Sequence, residues 1–210
     1  MASPYSILPV APSDLPTIAE FLYSSKLKLT INHLLFKDWP NEAAQRRQYT
    51  GAVEGALADP NTESLKAVDA ASGEIVGYLA VTHKSAAGPA AENDKSVPEA
   101  FNPDVYRAVI RAAGELSRET EGVDHLKVTY VFVKPSSRGQ GIGARLVREA
   151  VERAKAAGVP LTVSVEPAAY DFFVRLGFKD TRHVDFDLSK WAPPYSGFGV
   201  FRLAGMISSD

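Results

Sequence analysis

A chain of 210 residues with 45% apolar content can bury one sizeable core, and its formal net charge of −2 gives no electrostatic case for nucleic acid or an acidic membrane surface. No stretch approaches the roughly 18 to 20 apolar residues of a membrane span. The first ten residues lack the basic and apolar regions of a secretory signal, so a cytoplasmic protein is the default expectation, with a nuclear pool not excluded. The absence of cysteine removes disulfides and acyl-cysteine mechanisms, and His33, His83 and His183 lack metal-ligand spacing, so no metal is expected.

Tyr5 to Val10 is a short apolar run that predicts a first strand. Ser13 or Asp14 then stands as an N-cap before Leu15, Ile18, Ala19 and Leu22, whose spacing marks one helical face. Residues 26 to 39 carry Leu34, Leu35, Phe36 and Trp39 in a pattern too irregular to assign. Pro40 to Leu57 predicts a second helix, with Tyr49, Val53, Ala56 and Leu57 on its stripe and Pro60 beyond its end. Alternation and β-branched content over Glu63 to Val68 and Ile75 to Thr82 predict a hairpin. Residues 85 to 102, rich in alanine, glycine, proline and polar groups, are expected to form a flexible insertion.

A helix over Pro103 to Glu121 follows, then a central strand over His125 to Val133. Strict alternation along that strand puts His125, Lys127, Thr129 and Val131 on one face and Leu126, Val128, Tyr130 and Phe132 on the other. The helix from Gly141 buries Leu146, Val147, Ala150, Val151 and Ala154, pairs Glu149 with Arg153 outside, and stops at Gly158 and Pro160. Leu161 to Val165 reads as a strand, Pro167 to Leu176 as a short helix, Gly177 to Phe186 as a strand, and Tyr195 to Leu203 as a last strand with a blurred start. Strands mixed with helices, with no internal repeat, predict one α+β domain over residues 1 to 210 with a mostly antiparallel sheet.

Between the central strand and the helix, Val131 to Gly143 read V-F-V-K-P-S-S-R-G-Q-G-I-G. A strand, a short turn and a glycine-lined helix start describe a phosphate cradle, because the first N–H groups of a helix lack intrahelical partners and the dipole adds positive potential there. Gly139, Gly141 and Gly143 let a ligand approach that backbone, and Arg138 adds a planar cation at its mouth. The same glycines loosely fit a dinucleotide fingerprint, with Glu166 roughly where a ribose-binding acid would be sought. Such a site, however, wants its glycines against the strand, whereas Lys134 to Arg138 intervene. Tight packing alone is the third reading of these glycines.

The run V-x-P-x-x-R-G-x-G-I-G opening an A-x-x-L-V helix resembles the acetyl-CoA signature of the GNAT N-acetyltransferase superfamily, matched at Val133, Pro135, Arg138, Gly141 and Gly143. Val68 to Tyr78 is similar to that family's second and third strands, and Ala169 with Phe172 to Phe178 resembles its A-x-x-x-Y-x-x-L-G-F segment. The resemblance implies an α+β, three-layer α/β/α domain with a mixed, mostly antiparallel central sheet. It also implies an N-acetyltransferase that uses acetyl-CoA as acyl-donor cosubstrate and passes the acetyl group directly to a primary amine of a small molecule or peptide, with a homodimer allowed. Under it, Val131, Phe132 and Val133 pair with the pantetheine amides, and Arg138, Gly139, Gln140, Gly141, Ile142, Gly143 and Ala144 wrap the pyrophosphate. Phe173 lines the cofactor too, and the N–H groups of Val131 to Val133 polarise the thioester carbonyl if the strand bulges there.

Two positions depart from the family. Glu166 stands where asparagine is common, and Phe173 where a tyrosine often assigned as the acid for the leaving thiolate is common. An alkylamine of pKa about 10.4 is only about 0.1% neutral near pH 7.4, so a proton acceptor is useful, and Glu166 or His125 could serve. Tyr170, at i to i+3 from Phe173, could supply the missing hydroxyl. Acceptor specificity is expected from residues 26 to 39 and 180 to 198, with Phe36, Trp39 and Trp191 as candidate walls. The reading from another class is a catalytically weak acyl-CoA sensor of the same fold, motivated by Phe173.

Overall fold

The computed structural model describes residues 4–87 and 96–208. Its strands are β1 (Tyr5–Pro9), β2 (Thr62–Asp69), β3 (Ile75–Lys84), β4 (His125–Val133), β5 (Leu161–Val165), β6 (Phe178–Asp187) and β7 (Val200–Ser208). Its helices are α1 (Leu15–Lys26), α2 (Thr30–Leu35), α3 (Glu42–Ala58), α4 (Pro103–Ser117), α5 (Ile142–Ala157) and α6 (Tyr170–Arg175). The seven strands form one sheet in the order β1-β2-β3-β4-β5-β7-β6, antiparallel throughout except between β4 and β5.

One face of the sheet is covered by α5, whose buried Ile142, Leu146, Val147, Ala150 and Ala154 meet Leu65, Leu79, Val81 and Val128. Both ends of α5 are glycine-dependent, since Gly141 and Gly158 hold left-handed backbone at φ 78° and 67°. The short α6 joins the same core through Phe173. On the opposite face, α1 and α3 pack Ile18, Leu22, Tyr23 and Val53 over Tyr78 and Ala80, while α4 sets Val105 and Ala112 against Phe186 and Phe201. Asn41 and Asn102 start α3 and α4 by accepting from the N–H groups of Ala44 and Asp104 at 3.2 Å each.

Several expectations change. The irregular stretch 26–39 contains α2, after which Phe36 bridges to Phe101 and is buried with it. The expected flexible insertion falls partly on residues 88–95, outside those described; its distal end is packed, because Phe101 stacks edge-on to Phe36 at 4.8 Å. The last strand begins at Val200 rather than Tyr195.

The largest correction concerns β4. Its pairing with β3 runs Gly77↔Val133 to Ala80↔Tyr130 and resumes at Val81↔Val128, so Thr129 is an extra, bulged residue. A bulge inverts the alternation downstream of it. Val128, Val131 and Val133 therefore pack toward α5, while Tyr130 and Phe132 turn toward α1 and α3, where Phe132 stacks on Phe21 at 4.7 Å.

Candidate active site

The bulge marks where the sheet opens. β4 and β5 pair only from Leu126↔Leu161 to Val128↔Val163, after which β5 continues with β7 while β4 stays with β3. Beyond Val128, the β5-facing edge of β4 has no strand partner, and main-chain groups there are available to an extended ligand. The Val133 carbonyl on this stretch accepts from the Arg138 guanidinium at 3.1 Å.

At the far end of β4 the chain turns into α5. No side chain caps that helix, so its first N–H groups keep their donors for an anion. Gly139 and Gly141 are required by conformation, at φ 76° and 78°, and the space around them is open: a side-chain carbon would meet nothing within 4 Å at Gly139 and only the Tyr5 hydroxyl, 3.8 Å away, at Gly141. Tyr5 braces the loop by donating to the Gln140 carbonyl at 3.1 Å, and Arg145 donates to the Tyr5 carbonyl at 3.2 Å. Arg138 is exposed, with its guanidinium 5.8 Å from the Phe132 ring centre. Ala144 is half-buried, whereas the Ile142 side chain belongs to the core and leaves only its main chain for a ligand.

The aromatic pair on α6 divides unexpectedly. Phe172 is the half-buried ring beside the loop, since a side-chain carbon at Gly143 would meet it and Val133 at 3.4 Å. Phe173, only 2% exposed, packs inward edge-on to Phe172 and Phe178 at 5.1 and 5.2 Å and offers almost no surface to a cofactor. The motif spacing singled out Phe173 for the cofactor, whereas the ring that stands beside the loop is its neighbour Phe172. Tyr170 donates its hydroxyl to the Asp180 carboxylate on β6 at 2.6 Å, and that bond raises its pKa above the ordinary tyrosine value, making it a poorer acid.

Opposite β4, Glu166, the residue after β5, is ion-paired with Lys26, the last residue of α1. Lys26 in turn offers its carbonyl to the amide of Asn32 on α2 at 3.0 Å, and Asn32, 5% exposed, donates to the Tyr49 hydroxyl on α3 at 2.8 Å. Burial pushes the Tyr49 hydroxyl far above its usual pKa, and the nearby Glu166 charge and Tyr130 add to the rise. Burial also raises Tyr130. Three helices and a strand thus converge on Glu166. Lys26, Asn32 and Tyr49 escaped sequence reasoning because nothing in the chain marks residues so far apart as partners.

His125 lies at the other end of β4 and is 8% exposed, with its ring nitrogens 2.8 Å from the Val123 carbonyl and 3.3 Å from the Thr120 hydroxyl. It is a satisfied core histidine. Lys127, also on β4, is held below the usual lysine pKa by burial and by the Lys84 charge. His33 on α2 stacks on Trp39 at 4.2 Å and meets Phe198 edge-on at 6.0 Å, so the two segments expected to shape the acceptor side touch each other. Phe36 is core rather than wall, and Trp39 and Trp191 are half-buried. Among the described residues no helix is long and apolar enough to cross a membrane, and no cluster of three His, Asp or Glu stands ready for a metal.

This arrangement has relatives. A curated relative, an uncharacterised N-acetyltransferase of Methanocaldococcus jannaschii, is 46% identical over 54 residues, which span 24% of this chain and 24% of that protein. A protein of the yellow fever mosquito assigned as an arylalkylamine N-acetyltransferase has a similar fold, with TM-score 0.68, 16% identity, and 97% of this chain and 87% of that one covered. An agmatine N-acetyltransferase variant, at TM-score 0.66 and 15% identity, covers 98% of this chain and 99% of its own. The model of the acetyltransferase (GNAT) family matches residues 29–178, from the start of the α2 region through the parted strands to Phe178, and the chain belongs to that family of N-acetyltransferases.

Proposed function

We propose that the protein transfers an acetyl group from acetyl-CoA directly to a primary amine on a small molecule or peptide. The observation that carries this reading is the opening between β4 and β5, flanked at one end by an uncapped helix start and on the other side by Glu166. Acetyl-CoA supplies an acetyl thioester. Main chain of Val131 to Val133 would pair with its pantetheine amides, and the Arg138 to Ala144 loop would hold the pyrophosphate. Arg138 would exchange the Val133 carbonyl for phosphate oxygens, a bidentate and charged partner.

The amine enters from the α1 to α3 side, toward Glu166. The substrate ammonium first gives one proton by way of Glu166 to solvent; the neutral amine then forms a C–N bond at the acetyl carbon, the C–S bond breaks, and the second proton leaves the new amide nitrogen by the same route. Lys26 and the Asn32–Tyr49 pair hold that carboxylate side of the opening in place. N–H groups on the free edge of β4 polarise the carbonyl. With Phe173 lacking a hydroxyl and Tyr170 bound to Asp180, the thiolate leaves unprotonated, which a thiol of pKa about 8.5 allows near neutral pH.

The test is release of free thiol from acetyl-CoA with a panel of alkylamines, arylalkylamines, aminoglycosides, amino acids and peptides. Turnover with at least one amine is expected. Binding of acetyl-CoA without thiol release from any of them would replace this reading with that of an acyl-CoA sensor.

A further inference from the structure

Resting on the acetyltransfer reading, we propose that Thr129 touches the acceptor: its hydroxyl oxygen accepts a hydrogen bond from an N–H of the substrate amine, and a one-way chain of hydroxyls ending at Asp59 fixes it as an acceptor. Thr129 is the bulged residue where β4 and β5 part, and it is exposed on the face turned toward α1 and α3. A bulge commonly re-aims a side chain beside an active site.

The direction of the chain follows from proton counting. A threonine hydroxyl has one proton and two lone pairs, and an ionised carboxylate only accepts. Asp59, just past the end of α3, is ionised: the Asn61 N–H and the Thr62 hydroxyl hold its pKa below the ordinary aspartate value. Thr62 donates to it at 2.9 Å and has no proton left. In the 2.9 Å contact between Thr62 and Thr82, Thr82 must therefore donate. In the 2.6 Å contact between Thr82 and Thr129, Thr129 must donate in turn. Thr82, the middle link, is 3% exposed and so is shielded from water that would otherwise offer it a second partner. The competing contact from Thr129 to the Lys127 carbonyl is 3.5 Å, at the outer limit of a hydrogen bond.

The outcome is a hydroxyl whose proton is committed to Thr82 and whose two lone pairs are left to accept. Such a group recognises a donor. A primary amine brings N–H donors in both its protonated and neutral forms, whereas an ether or carbonyl oxygen at that point would meet only repulsion between lone pairs. Thr129 would thus favour an acceptor that carries a donor hydrogen and orient an amine's lone pair toward the acetyl carbon, leaving proton removal to Glu166.

The experiment compares steady-state kinetics of the parent with Thr129→Val, Thr129→Ser and Asp59→Asn, using the best amine of the panel. Thr129→Val keeps shape and loses the acceptor; kcat/KM for the amine should fall about 10-fold or more, with KM for acetyl-CoA unchanged, because a hydrogen bond from a charged donor is lost. Thr129→Ser should restore activity to within about threefold. Asp59→Asn, a near-isosteric change at a half-buried site, should fold like the parent and give a smaller fall of a few-fold, since an amide can donate as well as accept and so lets the chain reverse. Amine kcat/KM within about twofold of the parent in both Thr129→Val and Asp59→Asn would overturn the role of Thr129 while leaving the acetyltransfer reading standing. If Thr129→Val fails to fold, Asp59→Asn decides alone. Absence of thiol release from the parent with every amine overturns both.

Discussion

The two sides of the opening are built in contrasting ways. The β4 to α5 side is made of main chain from one continuous stretch, Val131 to Ala144, in which glycine geometry and an uncapped helix start do the work. The Glu166 side is made of side chains brought from α1, α2, α3 and β5. A main-chain site tolerates changes of side chain but not of backbone conformation. A side-chain site fails when a single contact is lost. The contrast predicts that damage to the first abolishes cosubstrate binding, and that damage to the second spares binding and slows turnover.

The largest effect tests the main-chain side. Acetyl-CoA at about 100 times its Kd should stabilise the fold by about 2.7 kcal/mol, roughly a 5 to 10 °C rise in Tm. Gly141→Asp, which puts a carboxylate and a strained left-handed residue at φ 78°, should abolish that rise as read by differential scanning fluorimetry. A parent Tm unmoved by millimolar acetyl-CoA would break the assignment of this loop. Next is Glu166→Gln, which should lower kcat near pH 7 about 10²-fold while leaving the acetyl-CoA shift intact. Turnover within about threefold of the parent would move the proton acceptor elsewhere.

A smaller effect separates the sides by stability. Asp14, the residue before α1, is bonded to Lys66 of β2 at 2.5 Å and accepts from the Ala11 N–H at 2.7 Å, which ties α1 to the sheet. Burial opposes ionisation of Asp14, but the Lys66 bond, the Ala11 N–H and the Lys66 charge outweigh it, so its pKa is depressed. With the folded pKa below the unfolded one, this stabilisation is complete above the unfolded value near 3.9 and is lost as pH falls through the folded value. Asp14→Asn should cost about 1 to 3 kcal/mol at pH 7, and that difference from the parent should shrink in urea titrations carried progressively below the ordinary aspartate pKa. A pH-independent difference would assign the loss to packing instead.

The same contrast explains what could be read in the chain. Arg138 and the glycines of the loop stood out because a phosphate cradle needs fixed offsets within one stretch, and the strand and helix on either side follow from hydrophobic period. The bulge at Thr129 left no local mark, since it arises from how β4 registers on β3, and it reversed the expected facing of Val131 and Phe132. Lys26, Asn32 and Tyr49 are ordinary helix residues until tertiary folding brings them to Glu166. Proximity of that kind is set by the packing of three helices, not by any spacing in the sequence.

The smallest expected effect concerns Tyr170, whose neighbour Phe173 occupies the place of a hydroxyl-bearing residue in the family. A general acid must reach the leaving sulfur and be willing to give its proton. Tyr170 is poorly disposed to do so, because its hydroxyl is committed to Asp180 at 2.6 Å and that bond raises its pKa. Tyr170→Phe should therefore leave kcat within about threefold of the parent, against the 10²-fold or greater fall that loss of a working acid would bring. If the thiolate does leave unaided, kcat should also respond to the acidity of the leaving group: a thioester of a more acidic thiol should turn over faster, and by the same factor in parent and Tyr170→Phe. A steeper response in the variant would show that the hydroxyl shares in protonating the thiolate, and would return Tyr170 to the catalytic centre.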